Sequence, residues 1–194
     1  MGLIIKSHNG TQASTYHFLQ GEASMYNRIV RDCQNSPLTW YMWYDKTFNI
    51  SYNGQNEIQI DFLLICEEGV IIVEVKGGNI TLSDGKYYYT INGEQRGMAR
   101  TPLEQVQSYK WALLENGIFD KDKVFIDYVC AFPKSVIESL GSDTATSNRI
   151  WDKRHHDSDE SFADFCLDLI RKEKYPTHIM AEFELDDIID SISF

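Results

Sequence analysis

The sequence has few of the features that build disulfide-rich, zinc-binding or membrane-spanning proteins. Its four cysteines are scattered and form no C-x-x-C pair, so reduced thiols in the cytoplasm fit them better than a disulfide or zinc framework. No apolar run approaches the roughly 18 to 20 residues of a membrane-spanning helix, and the apolar patch at residues 3–5 is too short for a signal peptide. The 194 residues, of which 43% are hydrophobic, are enough for one soluble domain with a sizeable core.

Basic residues are also scarce. The 18 lysines and arginines stand against 29 aspartates and glutamates, which gives a net charge of -11. Proteins that bind nucleic acids usually present a basic surface, because phosphate neutralisation supplies much of the affinity. The chain therefore looks poorly equipped to grip DNA alone. It also lacks a glycine-rich phosphate-binding loop, which argues against ATP use.

What the sequence does contain is a pair of charges inside an apolar strand. Residues 70–76 read Val-Ile-Ile-Val-Glu-Val-Lys, so Glu74 and Lys76 share one face of a strand that is otherwise apolar on both faces. The preceding apolar run, residues 58–65, contains Asp61. Unpaired charges are costly to bury, so acids inside a sheet are usually paired, hydrogen-bonded or bound to a metal.

The turn between these two runs decides whether the acids meet. If residues 66–69 form a four-residue loop that ends in a left-handed glycine, Ile65 faces Val70. Counting back along both strands then places Asp61 directly opposite Glu74. Opposed residues on one face have Cβ atoms roughly 4.5 to 5.5 Å apart, close enough for both carboxylates to bind one divalent cation. A loop one residue shorter would put the two acids on opposite faces.

Two carboxylates and a lysine in this arrangement suit metal-assisted hydrolysis of a phosphodiester. Asp61 and Glu74 would hold Mg²⁺ or Mn²⁺ beside the scissile phosphate, where the ion polarises the phosphate and lowers the pKa of a bound water. Lys76 could hold the attacking water or offset the charge that builds on the phosphate. A salt bridge between Lys76 and one acid is the structural alternative, and spacing alone does not choose between the two.

Two predicted helices each bring one polar residue that could join this site. Residues 21–33 have helical spacing, and Glu22 is the one acid on their apolar stripe; a first-turn glutamate favoured by the helix dipole is the alternative. Residues 101–104 supply an N-cap, an N1 proline and a capping-box acid, so a second helix begins there. Gln105 on that helix could hydrogen-bond the attacking water, a phosphate or a carboxylate, or it could lie on a solvated face.

Other segments are predicted as strands, and one hairpin carries basic residues. The alternating aromatics at residues 40–44 predict the first strand of the sheet. Residues 86–91 and 94–96, on either side of an Asn-Gly turn, predict a hairpin. The residues there that could stack on bases or contact phosphates are Lys86, Tyr88, Arg96 and Arg100. Ordinary strand packing is the alternative for tyrosines in a hairpin.

In order and spacing, these residues resemble the motifs of NERD, the nuclease-related domain of the PD-(D/E)XK superfamily. The resemblance covers residues 21–114 and rests on residues 21–22, 60–61 and 69–77 together with Pro102 and Gln105. Ile60 stands where the superfamily's leading proline would precede the first acid, a departure common in so variable a family. The resemblance implies an α/β (α+β) fold, a restriction-endonuclease-like mixed central β-sheet flanked by helices on both faces.

The resemblance also implies a function. The expected activity is Mg²⁺- or Mn²⁺-dependent hydrolysis of DNA phosphodiester bonds, as the nuclease module of a helicase-associated DNA-processing or defence system. The alternative is a catalytically inactive nucleic-acid-binding or protein-interaction domain of the same fold. The implied catalytic set is Glu22, Asp61, Glu74, Lys76 and Gln105, and the implied metal ligands are Asp61, Glu74 and the backbone carbonyl of Val75.

The domain organisation and the partners follow from the same observations. The nuclease-like domain is expected over residues 1–180. Residues 181–194 are expected to form an acidic helix or linker that leads to or docks on a partner, since residues 182–194 carry five acids and no base. DNA, double- or single-stranded, is the expected substrate, and a helicase or ATPase domain or subunit would supply most of the grip. The sequence is also compatible with a homo-oligomer.

Overall fold

The computed structural model describes residues 2–6, 20–138, 148–173, 180 and 182–192 as nine strands and five helices. In chain order these are β1 (Gly2–Lys6), α1 (Gln20–Gln34), β2 (Thr39–Phe48), β3 (Ile58–Cys66), β4 (Gly69–Val75), β5 (Asn79–Ser83), β6 (Lys86–Ile91), β7 (Glu94–Gly97), α2 (Pro102–Glu115), β8 (Ile126–Phe132), β9 (Ile150–Asp152), α3 (Lys153–His156), α4 (Phe162–Glu173) and α5 (Glu182–Ile192).

Six of the strands form one mixed sheet in the order β1-β2-β3-β4-β8-β9. The strands β2, β3 and β4 form an antiparallel meander. At one side β1 pairs parallel to β2, and at the other β8 and β9 continue parallel to β4. The remaining strands β5, β6 and β7 form a small antiparallel sheet of their own, which follows β4 directly in the chain.

Helices cover both faces of the large sheet, as the sequence predicted. On one face α1 and α4 pack against buried side chains that include Ile71 and Val73 of β4. On the other face α2 and α5 pack against a second apolar cluster that includes Ile72. The strand β4 is therefore buried on both sides, which explains its nearly continuous apolar sequence.

The register of the central hairpin matches the predicted one, although its turn does not. Ile65 pairs with Val70, and the ladder ends with the pair of Phe62 and Val73. One residue further along each strand, Asp61 lies opposite Glu74. The predicted four-residue loop with a left-handed glycine is wrong, because Cys66 and Gly69 already pair and leave a two-residue turn. Both turn lengths give the same register, so the acids still meet.

Gly69 serves a different purpose from the predicted one. It does not adopt a positive φ. A Cβ added to it would lie 3.0 Å from the carbonyl oxygen of Phe125, and the same oxygen accepts a hydrogen bond of 2.8 Å from the Val70 N–H. A glycine is needed here because the chain that leads into β8 passes close to the start of β4.

The aromatic segment at residues 40–44 lies in the second strand, not the first. The first strand is β1, which pairs parallel to β2 along its whole length. It is a five-residue edge strand whose Ile4 and Ile5 are 43% and 38% exposed. Such a short, half-exposed run has no alternation from which a strand could be predicted.

The C-terminal helix α5 packs on the sheet. Its Leu185, Ile189 and Ile192 are buried in the same apolar cluster as the residues of α2, and the Nζ of Lys46 donates a hydrogen bond of 2.6 Å to the carbonyl oxygen of Ile192. The assignment of residues 181–194 as a separate segment stays a prediction. Within the described ranges, no helix combines the length and the hydropathy that crossing a membrane requires.

Candidate active site

Asp61 and Glu74 lie where β3 and β4 stop pairing through their backbones. The ladder of paired residues ends with Phe62 and Val73. Beyond it, the Oδ2 of Asp61 accepts a hydrogen bond of 2.7 Å from the N–H of Val75. The Asp61 carboxylate thus takes the place of a backbone carbonyl at the end of the hairpin, which fixes it beside the strand that carries Glu74.

Lys76, the residue directly after β4, pairs with Glu74. Its Nζ donates a hydrogen bond to Oε1 of Glu74, and Glu74 itself is only 4% exposed. The backbone N–H of Lys76 donates to the carbonyl oxygen of Ala131 in β8 at 2.8 Å, so the residue is held by the sheet although it follows the last residue of β4. This ion pair is the salt bridge that the sequence left open as an alternative to metal chemistry.

The first turns of α2 supply the next polar group. The helix begins at the predicted capping box, in which Thr101 and Glu104 exchange hydrogen bonds and Pro102 occupies the first turn. Gln105 therefore lies near the start of the helix, and its Oε1 accepts a hydrogen bond of 3.1 Å from Nζ of Lys76. The structure brings Gln105 into the cluster through the lysine.

Tyr109 also belongs to this cluster, although it was not among the predicted site residues. Its Oη accepts a hydrogen bond of 2.7 Å from Nε2 of Gln105. That contact orients the amide so that its oxygen faces Lys76. The spacing of one helical turn between Gln105 and Tyr109 is the signal in the sequence that could have identified it.

Glu22 reaches the site from α1 on the opposite face of the sheet. It lies in the first turn of that helix, and its negative charge raises the pKa of both Asp61 and Glu74, so it lies near both carboxylates. The structure thus places the five predicted catalytic residues around one end of the central hairpin.

The electrostatics of the site are set first by burial and then by the negative charge of neighbouring acids. Burial, and then the charge of Glu74, raise the pKa of Asp61 to about 8. Burial also raises the pKa of Glu74, although Lys76 opposes it. Burial lowers the pKa of Lys76, but the charge and the hydrogen bond of Glu74 raise it by more. The net pKa lies above the ordinary value, so the ammonium stays charged. One lysine does not balance three acids when all of them are ionised, and a cation would relieve that excess.

The buried carboxylate of Glu74 and the half-buried carboxylate of Asp61 fit a hard divalent cation. Mg²⁺ and Mn²⁺ prefer oxygen ligands, and Mg²⁺ is commonly held by one or two carboxylates together with water and substrate phosphate. Within the part of the chain that the structure describes, no group of three His, Cys, Asp or Glu side chains is placed to hold a metal ion. Asp61 and Glu74 are therefore the two acids of the hairpin that could serve as ligands.

The four predicted nucleic-acid contacts do not form one surface. Lys86 and Tyr88 share the outer face of β6, where the ring of Tyr88 lies over Gly97. Arg96 pairs with Tyr89, which puts its side chain on the other face, and its guanidinium lies 3.5 Å from Glu94. Arg100 precedes α2, where it donates a hydrogen bond of 3.0 Å to the carbonyl oxygen of Glu104.

The fold and the site together define a class of protein. A mixed six-stranded sheet covered by helices on both faces, with two acids and a lysine at the end of its central hairpin, is a restriction-endonuclease-like α+β arrangement. The chain belongs to the nuclease-related domain family, whose match covers residues 19–133 and so contains all five candidate site residues. No curated protein and no solved structure matches the chain.

Proposed function

We propose that the chain is a metal-dependent nuclease that hydrolyses DNA phosphodiester bonds in the cytoplasm. The observation that carries the proposal is the convergence of Asp61, Glu74 and Lys76 at one end of a buried hairpin. Membership of the nuclease-related domain family supports a nuclease-related function. An uncompensated buried charge is costly, so a site with more acids than bases favours the binding of a further cation.

Asp61 and Glu74 would hold Mg²⁺ or Mn²⁺, with the backbone carbonyl of Val75 as a further oxygen donor. When bound, the ion supplies Lewis-acid polarisation of the phosphate and a lowered pKa for the attacking water. The carboxylates then no longer repel each other. Glu22 adds negative charge to the site, which strengthens its attraction for the cation and weakens its attraction for a phosphate when no cation is present.

Lys76 and Gln105 would act on the phosphate and the water. The Lys76 ammonium donates to Glu74 and Gln105, and it has a third proton with which to bind a non-bridging phosphate oxygen. Gln105, oriented by Tyr109, keeps that ammonium in place and can accept a hydrogen bond from the attacking water. These groups stabilise the charge that develops on the phosphate during attack.

A catalytically inactive domain of the same fold is the second candidate. Two observations favour it: Lys76 already satisfies Glu74, and the described residues supply no third acidic, His or Cys ligand. In this case the site would be a structural ion-pair cluster, and the domain would bind nucleic acid or a partner protein without cleaving either.

A helicase or ATPase domain or subunit is the partner we propose for the nuclease. The chain carries a net charge of -11 and no glycine-rich phosphate-binding loop. A partner that moves along DNA would supply the electrostatic grip and the ATP-driven step that this chain lacks.

Cleavage of plasmid and single-stranded DNA in the presence of Mg²⁺ or Mn²⁺ tests the proposal. We expect the wild type to cleave, and Asp61→Ala and Lys76→Ala to lose about 100-fold or more in rate. Glu57→Ala is the matched control, since Glu57 is an exposed acid just before β3 and should keep full activity. A wild type that cleaves neither substrate with either metal would favour the inactive domain.

A further inference from the structure

A cleft opens on the side of α2 that faces away from the candidate active site. It lies between α2 and β8 and has a volume of about 370 Å³. Its lining residues are Leu103, Glu104, Gln107, Lys110, Trp111, Asp127, Tyr128 and Arg149. Nothing in the proposed catalytic chemistry uses these side chains.

Trp111 forms an exposed aromatic wall of the cleft. Its side chain is 45% exposed, whereas the other three tryptophans of the chain, Trp40, Trp43 and Trp151, are at most 2% exposed. The ammonium of Lys110 lies 5.8 Å from the centre of the Trp111 ring. A large aromatic face left in water beside a cation is a surface on which a nucleobase can stack.

The floor of the cleft is charged but balanced. Asp127 is 1% exposed and accepts a hydrogen bond of 2.7 Å from Arg149, while the ammonium of Lys110 lies 3.5 Å from it. The guanidinium of Arg149 also lies 5.4 Å from the centre of the Tyr128 ring. With Glu104 at the rim, the acids and bases of the cleft cancel, so it offers aromatic faces and hydrogen-bonding groups but little net attraction for phosphate.

We propose that this cleft binds a nucleobase of single-stranded DNA by stacking on Trp111, and that single-stranded DNA is therefore the substrate class of the candidate nuclease. The proposal rests on the proposed function for its link to cleavage. A chain with a net charge of -11 gains little from phosphate neutralisation. Stacking does not depend on that charge, and a single strand exposes base faces that a duplex hides.

The position of the cleft on α2 fits this substrate. Leu103, Gln107 and Trp111 follow each other at intervals of four residues and form one stripe of the helix, while Gln105 and Tyr109 form another that faces the active site. Gln105 and Trp111 are separated by six residues, or about 9 Å along the helix axis. A single strand with one phosphate at Lys76 would therefore pass around α2 to place one of its bases on Trp111.

Tryptophan fluorescence measures the proposed contact directly. The wild-type chain is titrated with short oligo(dT) in EDTA, so that no cleavage occurs, and binding is followed in parallel by the anisotropy of a labelled oligonucleotide. We expect saturable quenching, since Trp111 is the exposed tryptophan. Trp111→Ala should weaken binding about 10-fold, or about 1.4 kcal/mol, because the base loses its stacking partner, and it should abolish the quenching. The same sequence as a duplex should quench little.

Two further variants separate stacking from general effects on the fold. Trp111→Phe keeps an aromatic face, so it should bind within about threefold of the wild type while losing the fluorescence signal. Val136→Ala is the matched control, because Val136 is another exposed apolar residue, at 44%, and lies outside the cleft. Its binding and quenching should equal those of the wild type. Circular dichroism of each variant verifies that the fold is intact.

The outcomes distinguish this inference from the proposed function. Equal binding by wild type and Trp111→Ala, binding without quenching, or no binding of oligo(dT) would each overturn the inference, even if the wild type cleaves plasmid DNA. Conversely, Trp111-dependent binding in a protein that cleaves nothing would support the cleft and refute the nuclease. Preference for the duplex would overturn the proposed substrate class.

Discussion

The backbones of Gly21 in α1 and Gly77 after β4 lie in direct contact. A Cβ added to Gly77 would lie 2.7 Å from Cα and 2.8 Å from N of Gly21, which is closer than real side chains approach a backbone. The contact brings the first turn of α1 onto the end of the strand that carries Glu74 and Lys76. It is the reason that Glu22, one residue along the helix, lies near carboxylates from a different part of the chain.

Gly77→Ala should disrupt this contact. The added methyl group would push α1 away from β4, and we expect a loss of about 1–3 kcal/mol in the free energy of unfolding, the usual range for overpacking. Gly78→Ala is the matched control, since its Cβ would meet nothing closer than 3.9 Å and it lies one residue further on. Urea unfolding of both variants measures the difference. Equal stabilities would show that the glycine contact is not a structural requirement.

A second set of contacts holds α1 in place through Arg28, which is 5% exposed. Its guanidinium donates to the Asp32 carboxylate at 2.6 Å, to the carbonyl oxygen of His156 at 2.7 Å and to that of Ser158 at 3.2 Å, and it also donates to the carbonyl oxygen of Glu160. One side chain therefore ties α1 to the segment between α3 and α4. Only a planar guanidinium can satisfy so many acceptors at once.

Arg28→Lys should consequently destabilise the protein although the charge is kept. We expect a loss of about 2–4 kcal/mol, because a lysine leaves partly buried carbonyl groups without donors. Arg31→Lys is the control: Arg31 donates to the same Asp32, at 2.8 Å, but its side chain is 59% exposed. That variant should stay within about 0.5 kcal/mol of the wild type. Similar losses for the two variants in chemical unfolding would contradict this account of Arg28.

The raised pKa of Asp61 predicts how metal-free stability depends on pH. Between its ordinary value of 3.8 and the folded value of about 8, the folded protein holds a proton that the unfolded chain has released. Stability should therefore fall as the pH rises through this window, by at most about 1.4 kcal/mol per pH unit. Asp61→Asn keeps an acceptor for the Val75 N–H and removes the titration.

The comparison of unfolding free energies between wild type and Asp61→Asn, from pH 4 to pH 8 in EDTA, removes the contribution of titrating groups outside the Asp61–Glu74 pair. The wild type should lose stability relative to the variant as the pH rises. Glu57→Gln, which changes an exposed acid, should run parallel to the wild type. Parallel curves for wild type and Asp61→Asn would mean that the folded carboxyl titrates normally.

The elements whose position depends on local pattern could be predicted from the sequence. The alternation in residues 70–76 predicted the faces of β4. The register of Ile65 with Val70 was also right, although it was predicted from a four-residue loop and the turn has two residues. The capping box at Thr101 fixed the start of α2 and with it the place of Gln105. In each case the residues that decide the geometry lie within a few positions of each other.

What could not be predicted depends on contacts between distant segments. The role of Gly69 is set by Phe125, which follows it by more than fifty residues, and no local signal distinguishes that glycine from a left-handed one. The side on which Arg96 lies depends on the register of β6 with β7. The cleft beside Trp111 is lined by residues of α2, by residues of β8 and by Arg149, which are far apart in the sequence. The spacing of residues along the sequence does not predict these contacts between distant segments.

The role of metal at Asp61 and Glu74 is the central claim, and thermal unfolding in increasing Mn²⁺ tests it most directly. Because the ion binds only the folded site, it should raise the melting temperature of the wild type, by about 5 to 10 °C at a concentration about 100-fold above the dissociation constant. Asp61→Ala and Glu74→Ala should lose this shift.

Lys76→Ala is the variant to compare with the two acid variants in the same thermal-unfolding measurement. Lys76 binds the Glu74 oxygen that a cation would need, so its removal should leave the Mn²⁺-dependent shift intact or enlarge it while cleavage is lost. The account predicts this split between the acids and the lysine. A wild type with no Mn²⁺-dependent shift, or a shift that persists in both Asp61→Ala and Glu74→Ala, would contradict it.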